Sequence, residues 1–148
     1  ADAFRREDEQ PDSDFYRSPR LVSHIDQTAR EMVKNTYGRF LTEDMQVLDL
    51  MSSWQSHLPG SLRLKRLVGL GLNGEELKKN PRLTGYVIRD LNKEPKLPFE
   101  NNTFDAVINT VSVEYLIDPL AVFKEVSRIL HPGGYFIVTF SNRWFPTK

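Results

Sequence analysis

Short apolar runs alternate along the chain with segments whose apolar residues recur at helical spacing. The runs predict five buried strands, near residues 46–50, 64–70, 86–88, 104–111 and 135–140. Helical spacing extends from about residue 23 to 41, over a short segment at 73–80, and from Asp118-Pro119 to about residue 130. Strands that alternate with helices predict an α/β, Rossmann-like, doubly wound fold with a mainly parallel sheet of about five strands.

Capping residues set the expected ends of these helices. Ser23-x-x-Asp26 is a plausible capping arrangement for the first long helix, and Ser18-Pro19 would start it one turn earlier. Asp118-Pro119 combines a cap with a first-turn proline. Pro132-Gly133-Gly134 is expected to end the last helix and form a turn before the fifth strand.

The N-terminus differs in composition from the remainder of the chain. Residues 1–14 carry six acidic residues and almost no apolar ones, so residues 1–20 are predicted to form a flexible, charged arm. Residues 21–148 are then the α/β domain. Phe15-Tyr16 interrupts the charged pattern, and two interpretations stay open. These aromatic residues either cover a ligand as a lid or staple the following helix to the core.

Composition narrows the classes of function. The 148 residues suffice for one domain, and 20 basic residues balance 20 acidic ones, so charge gives no reason to expect nucleic acid or an anionic membrane as a partner. No run of ~18 apolar residues is present, as a membrane span would need. The absence of cysteine fits an intracellular protein. We expect a soluble protein with the cytoplasm as its default location, and organelle import stays open because the sequence begins at Ala1.

Polar side chains follow several predicted strands at the point where each strand ends. They are Asp49, then Gly71-Leu72-Asn73, then Asp90-Leu91, and then Asn109-Thr110-Val111. In open α/β sheets, ligands bind in the crevice beyond the carboxyl ends of the strands. The sequence therefore predicts a ligand site at this rim.

Two motifs are specific when they occur together. Asp90 is followed by Leu97-Pro98-Phe99 and Phe104-Asp105, and the segment Arg128–Gly134 reads Arg-Ile-Leu-His-Pro-Gly-Gly. From about Val22 to Phe140 the chain resembles the class I S-adenosylmethionine-dependent methyltransferases, in particular the type 11 group that acts on small molecules. The resemblance implies S-adenosyl-L-methionine as cofactor and a small-molecule methyl acceptor as partner.

The resemblance also implies roles for individual residues. Asp49 would hold the methionine amino group, with Met51 and Ser52 in the adjacent cofactor loop. Asp90 would accept a hydrogen bond from the adenine amino group, next to the Leu91 amide. The segment 109–111, including Asn109 and Val111, would line the methionine side.

Two positions depart from the family pattern. The loop after the first strand is glycine-rich in the family, whereas this chain has Met51-Ser52-Ser53-Trp54. Gly71 stands where the family has an acid that binds the ribose hydroxyls, and Asn73 is the nearest amide that could replace it. These departures motivate an alternative, a catalytically inactive binding or regulatory module. A nicotinamide dehydrogenase is disfavoured because no Gly-x-Gly-x-x-Gly follows the first strand.

Methyl transfer needs alignment more than a catalytic motif, because the cofactor carries the activation. If the acceptor is a hydroxyl or an acid, His57, Glu114 and Tyr115 are the candidate bases. No metal-ligand spacing is present. Class I methyltransferases carry two further strands after the fifth, so the resemblance implies a domain incomplete at its C-terminus. Without those strands the edge of the fifth strand would be exposed, and a homodimer through this edge is the other arrangement that would cover the edge.

Overall fold

The computed structural model of the chain describes residues 10–142. Along the chain, the elements are α1 (Asp12–Phe15), α2 (Gln27–Phe40), β1 (Gln46–Leu50), β2 (Arg66–Gly71), α3 (Gly74–Lys79), β3 (Gly85–Ile88), β4 (Phe104–Thr110), a 3₁₀ turn (Val113–Tyr115), α4 (Pro119–Ile129) and β5 (Leu130–Thr139).

The five strands form one parallel sheet in the order β3-β2-β1-β4-β5. This confirms the predicted doubly wound α/β fold. Every strand points the same way, so all five carboxyl ends lie at one rim of the sheet. The strand order reverses between β1 and β4, which is the switch point where open α/β sheets bind ligands. Strands β3 and β5 are the two edges.

Apolar side chains cover both faces of the sheet. On one face Leu48 and Leu50 of β1 pack with residues of α4, among them Val126. On the other face Val47 packs with Val33 and Tyr37 of α2. Both faces of a parallel sheet must be covered, which explains why the strands are apolar on both sides.

The N-cap of helix α2 lies three residues after Ser23 and eight residues after Ser18, the two predicted starts. Asp26 is itself the N-cap, and its Oδ1 accepts a hydrogen bond from the backbone N–H of Ala29 at 2.9 Å. Ser23 lies outside the helix, and its hydroxyl donates to the side chain of Gln55 at 3.3 Å. The capping box expected at Ser23 is therefore corrected to a single cap at Asp26. The start of α4 was predicted correctly, because Asp118 caps it through the Ala121 N–H.

The segment Pro132-Gly133-Gly134 was expected to be a turn outside the strand, and this was wrong. Strand β5 begins directly after α4, at Leu130, which pairs with Phe104. The next paired position is Tyr135 with Ala106, so the intervening residues bulge from the ladder, with Gly133 at φ +81°. A bulge leaves extra residues unpaired, and glycine permits the left-handed backbone.

Arg128 connects the two motifs that carried the family resemblance. Its guanidinium donates to the carbonyl oxygens of Leu97 and Phe99 at 2.9 and 2.8 Å. It also forms an ion pair with Glu125 at 2.7 Å, and Glu125 accepts the Leu97 N–H at 2.8 Å. The Leu-Pro-Phe loop is thus fastened to α4 by side chains of the second motif. Both motifs have a structural function at this contact.

Candidate functional site

A cavity of about 230 Å³ lies at the carboxyl ends of β1, β2, β3 and β4. Each of these strands contributes residues that the sequence placed at the rim. The predicted residues that line the cavity are Asp49, Met51, Ser52, His57, Asn73, Asp90, Leu91, Val111 and Tyr115. The parallel topology brings them together from positions up to 66 residues apart in sequence, between Asp49 and Tyr115.

Asp49 is the most deeply buried carboxylate of this cavity, with 3% of its surface exposed. Its Oδ2 accepts hydrogen bonds from the hydroxyls of Ser52 at 2.7 Å and Ser56 at 2.6 Å. Burial raises the pKa of Asp49 to about 6, and the two hydroxyls oppose this increase. No cation lies within ion-pair distance of Asp49 among the described residues. A buried carboxylate of this kind is suited to an incoming cationic group.

Three residues that line the cavity have left-handed backbone conformations without being glycine. Met51 has φ +60°, His57 has φ +50°, and the β-branched Val111 has φ +47°. Such conformations cost on the order of 1–3 kcal/mol each and concentrate at ligand sites. Met51 stands in the loop that the family resemblance leads us to expect as glycine-rich, and its backbone has a conformation that glycine adopts readily. This clustering of strain supports a functional role for the cavity.

The loop after β1 packs directly against the end of β2. The Ser52 N–H donates to the carbonyl of Leu70 at 2.7 Å. A Cβ atom at Gly71 would overlap the Ser52 carbonyl oxygen, so position 71 has no room for a side chain. The close approach of this loop to β2 therefore leaves no room at Gly71 for the acid that the family resemblance implies.

We expect Gly71→Ala to lower the free energy of unfolding by about 1–2 kcal/mol, because either the loop or β2 must shift to admit the methyl group. Urea denaturation measures the change. Gly85→Ala is the matched control, since Gly85 also lies in a strand but a Cβ there meets no atom within 4 Å. Equal stabilities of the two variants would contradict the close packing of the Ser52 carbonyl on Gly71.

Asn73 lines the cavity, but its amide is already engaged. Its Oδ1 accepts the N–H groups of Glu75 and Glu76 at 2.9 and 3.1 Å and so caps α3. Its Nδ2 donates to the carbonyls of Tyr16 at 2.8 Å and Arg17 at 3.4 Å. The suggestion that Asn73 replaces the missing acid gains no support from these contacts.

Asp90 and Leu91 end the segment after β3 and face the same cavity. Asp90 Oδ1 accepts the Asn92 N–H at 3.0 Å, and Lys93 lies 3.7 Å from Oδ2. The Asp90 side chain is 13% exposed, so it still reaches solvent in the cavity. Leu91 is buried beside it. This end of the cavity presents one carboxylate beside an apolar side chain.

Glu76 is a cavity residue that the sequence interpretation missed. It lies in the first turn of α3, is 6% exposed, and accepts the Ser53 hydroxyl at 2.7 Å and the Arg20 N–H at 2.6 Å. Apart from Leu77 the segment 73–80 is polar, so its composition does not distinguish Glu76 from its neighbour Glu75. The one available signal is spacing, because Glu76 and Asn80 lie four residues apart on one helix side, and Asn80 is 4% exposed.

Residues 12–25, which we call the strap, contribute lining residues to the cavity along their whole length. The strap is fixed at its two ends and in the middle. Asp12 accepts the Asn92 side-chain N–H at 2.7 Å, Glu76 binds the Arg20 N–H, and the Trp54 indole donates to the Val22 carbonyl at 3.3 Å. Residues 12–20 of the predicted charged arm therefore make contacts with the rim, whereas residues 1–9 lie outside the described residues.

Aromatic and basic side chains of the strap face the cavity. Phe15 and Tyr16 pack edge to face with ring centroids 5.0 Å apart, and the Arg20 guanidinium lies 4.0 Å from the centre of the Phe15 ring. Burial raises the pKa of Tyr16 above its ordinary value, and burial likewise raises that of Tyr115. Both tyrosines are therefore neutral hydrogen-bonding groups at physiological pH. Phe15 and Tyr16 both line the cavity, and their function as a lid stays a prediction.

The three candidate bases differ in position. His57 and Tyr115 line the cavity, whereas Glu114 is exposed and does not. Burial, with Arg30 nearby, lowers the pKa of His57, so its imidazole is neutral at physiological pH and able to accept a proton.

Asn109 was predicted to contact a cofactor, yet it does not line the cavity. It is 1% exposed and donates to the Leu50 carbonyl at 3.1 Å and the Ser112 hydroxyl at 2.9 Å. Its Oδ1 is buried without a hydrogen-bond partner among the described residues. Asn109 thus ties β4 to β1 beneath the cavity and holds Ser112, which does line it.

Among residues 10–142, no group of three or more histidine, aspartate or glutamate side chains is arranged to hold a metal ion. No helix in the same range is both long enough and apolar enough to cross a membrane.

The sequence was compared with families and curated proteins of known kind. The model of a family described as "methyltransferase domain" matches residues 56–138. A sterol 4-C-methyltransferase of Caenorhabditis elegans is 46% identical over 43 residues, which is 29% of this chain and 13% of that protein. A fatty-acid O-methyltransferase of Mycolicibacterium smegmatis is 34% identical over 88 residues, or 57% of this chain and 31% of that protein.

Solved structures resemble the fold. An S-adenosylmethionine-dependent methyltransferase from Mesorhizobium loti superposes with a TM-score of 0.59 and 22% identity, over 76% of this chain and 54% of that chain. At this level of identity the similarity concerns the fold. The chain spans about half the length of this structure and less than a third of the two curated relatives.

Proposed function

Because the chain belongs to the methyltransferase domain family, we propose that it binds S-adenosyl-L-methionine in the cavity and transfers the methyl group to a small-molecule acceptor. The observation that carries this proposal is the convergence of Asp49 and Asp90 on one cavity at the switch point of the sheet. The family match gives the class of chemistry. The site gives the residues that would perform it.

The donor and acceptor groups of the cavity fit this cofactor. Its adenine amino group, ribose hydroxyls and methionine ammonium are all hydrogen-bond donors, and ionised carboxylates only accept. Asp49, Glu76 and Asp90 supply three carboxylates that line one cavity. The volume of about 230 Å³ is below the roughly 300–1,000 Å³ of most small-molecule pockets, so we propose that the strap moves outward to admit the whole cofactor.

We assign the two ends of the cavity by their chemistry. Asp90 accepts from the adenine amino group, with Leu91 packing beside the ring. Asp49 attracts the methionine ammonium, because a buried carboxylate without a cation gains most from one. Met51 and Val111 form an apolar wall next to this end. Glu76 lies between the two ends, on α3.

The cofactor supplies an activated methyl group on a sulfonium, so the transfer itself needs no metal from the chain. The residues of the chain bind, align and shield. The strap with Phe15 and Tyr16 excludes water from the cavity, which favours alignment of the reacting groups. If the acceptor carries a hydroxyl or an acid, neutral His57 is the best placed base, and Tyr115 is the second.

The acceptor is proposed only as a small molecule. By their names, the two curated relatives act on a sterol carbon and on a fatty-acid oxygen. Carbon and oxygen acceptors require different chemistry at the acceptor atom, and the relatives therefore do not single out one acceptor. A homodimer through the edge of β5 also stays a prediction.

Calorimetric titration with S-adenosylmethionine and S-adenosylhomocysteine tests the proposal. We expect Asp90→Asn to weaken binding of both at least 10-fold, because the amide presents a donor where the adenine amino group needs an acceptor. The variant amide still offers an oxygen to the Asn92 N–H, so the local turn is retained.

Asp118→Asn is the matched control, because Asp118 also accepts a backbone N–H but lies on the exposed start of α4. It is expected to bind as the unmodified chain does. Failure of the unmodified chain to bind either compound at millimolar concentration would refute the proposed function. Binding without methyl transfer to any acceptor would instead favour the inactive module.

A further inference from the structure

We infer that Glu76 binds the ribose hydroxyls of the cofactor and so replaces the acid that is absent at the end of β2. This inference rests on the proposed function, and it adds a residue to which the family resemblance assigns no role. By binding these hydroxyls, Glu76 would allow the chain to distinguish a ribonucleoside from other adenine compounds.

The first step is that Gly71, where the family resemblance implies the acid, has no room for a side chain. Any side chain at Gly71 would meet the Ser52 carbonyl oxygen, and the Leu77 side chain lies 3.3 Å from the same Cβ position. A carboxylate at this strand end must therefore come from another element. Helix α3 begins three residues after β2 and is the nearest one along the chain.

The second step is that Glu76 lies at the required place. It lines the cavity together with Gly71 and Asn73, and it is 6% exposed. Its two oxygens are held from opposite sides, Oε1 by the Arg20 N–H of the strap and Oε2 by the Ser53 hydroxyl of the β1 loop. The Ser53 hydroxyl belongs to the β1 loop and not to the strap, so it still orients the carboxylate when the strap moves outward.

The third step is the capacity for further hydrogen bonds. An ionised carboxylate offers about four lone-pair sites, and the contacts above occupy two of them. No ion pair to Glu76 is found among the described residues. Two neighbouring hydroxyls match this pattern, because each can donate to one of the two oxygens. Asn73 cannot serve in this way, since both its oxygen and its nitrogen already make two hydrogen bonds.

The test compares two probes, S-adenosylhomocysteine and its analogue without the 2′- and 3′-hydroxyls, by calorimetry on the purified chain. The unmodified chain should bind the analogue at least 10-fold more weakly. In Glu76→Gln, the affinity for S-adenosylhomocysteine should fall at least 10-fold while that for the analogue changes little, so the preference disappears. Glu75→Gln, an exposed neighbour on the same helix, should keep the full preference.

Each outcome decides the inference. If Glu76→Gln binds both probes more weakly by the same factor, Glu76 only anchors the strap and the inference is wrong. If the unmodified chain binds neither probe, the proposed function fails and the inference fails with it. Thermal unfolding verifies that the variants fold. Should Glu76→Gln not fold, Glu76→Asp, which keeps the charge but withdraws the oxygens, must lose the preference, and its retention would overturn the assignment.

Discussion

Replacing Asp49 by asparagine is expected to raise the free energy of unfolding at pH 7.5 by up to about 3 kcal/mol. Burial raises the pKa of Asp49 from 3.8 to about 6, which means that the folded chain disfavours the ionised form. The Oδ1 atom of asparagine can still accept the hydroxyls of Ser52 and Ser56. The same substitution should weaken binding of S-adenosylhomocysteine, because it removes the proposed partner of the ammonium group.

The free energy of unfolding should depend on pH in a direction set by the raised pKa of Asp49. Because the folded pKa of Asp49 lies above the unfolded one, its protonated form stabilises the fold below about pH 4, and this contribution is lost as the pH rises to about 6. Between pH 4 and about pH 6, the free energy of unfolding of the unmodified chain should therefore fall relative to that of Asp49→Asn. From about pH 6 to pH 8 the difference between the two chains should stay constant, and urea denaturation measures it. Asp44→Asn, at an exposed position, is the control. A constant difference over the whole range from pH 4 to pH 8 would contradict the assignment.

Arg128→Lys is expected to lower the free energy of unfolding by about 2–3 kcal/mol. Hydrogen bonds to charged groups contribute about 1.5–3 kcal/mol each, and lysine cannot reach the carbonyls of Leu97 and Phe99 together with Glu125. The expected loss is smaller than the sum of these hydrogen-bond energies because the Arg128 side chain is 28% exposed and solvent screens its charge. Urea denaturation measures the loss, with Arg39→Lys on the exposed part of α2 as the matched control.

The effect of Arg128→Lys should also depend on pH. The hydrogen bond from Arg128 holds the pKa of Glu125 below its usual value. The pair therefore contributes stability at neutral pH, and this contribution is lost as the pH falls through the folded pKa of Glu125. The difference between the two chains should shrink in acid. Arg128→Lys with unchanged stability at pH 7.5 would show that the Leu-Pro-Phe loop is held by other contacts.

The sheet could be predicted because its strands are short, apolar and separated by clear capping and turn residues. The rim followed from the same pattern, since parallel strands bring their carboxyl ends together. Asp49, Asp90 and Val111 therefore reached one cavity although no local motif joins them. The predicted ends of elements were less accurate where one segment has two structural effects. Pro132-Gly133-Gly134 follows the end of a helix and also forms a bulge within β5.

The remainder of the site depends on contacts between distant segments. Burial of Glu76 results from packing against the strap and the β1 loop, neither of which the polar sequence around it reveals. The charged arm was predicted over residues 1–20 from the acidic composition of residues 1–14, which does not show that Asp12 accepts a hydrogen bond from Asn92. Asn109 lies beneath the cavity because it is the second-last residue of β4 and its side chain bonds the Leu50 carbonyl and the Ser112 hydroxyl.

The left-handed residues Met51, His57 and Val111 have a consequence for the order in which the molecule opens. The apolar packing on the two faces of the sheet offsets the free-energy cost of these conformations. This packing lies beneath the rim loops, away from solvent. We therefore expect amide hydrogens of the rim loops to exchange through local fluctuations, and those of β1 and β4 to exchange only on global unfolding. With the proposed function, ligand entry would then rearrange the rim loops and the strap and leave the central strands undisturbed.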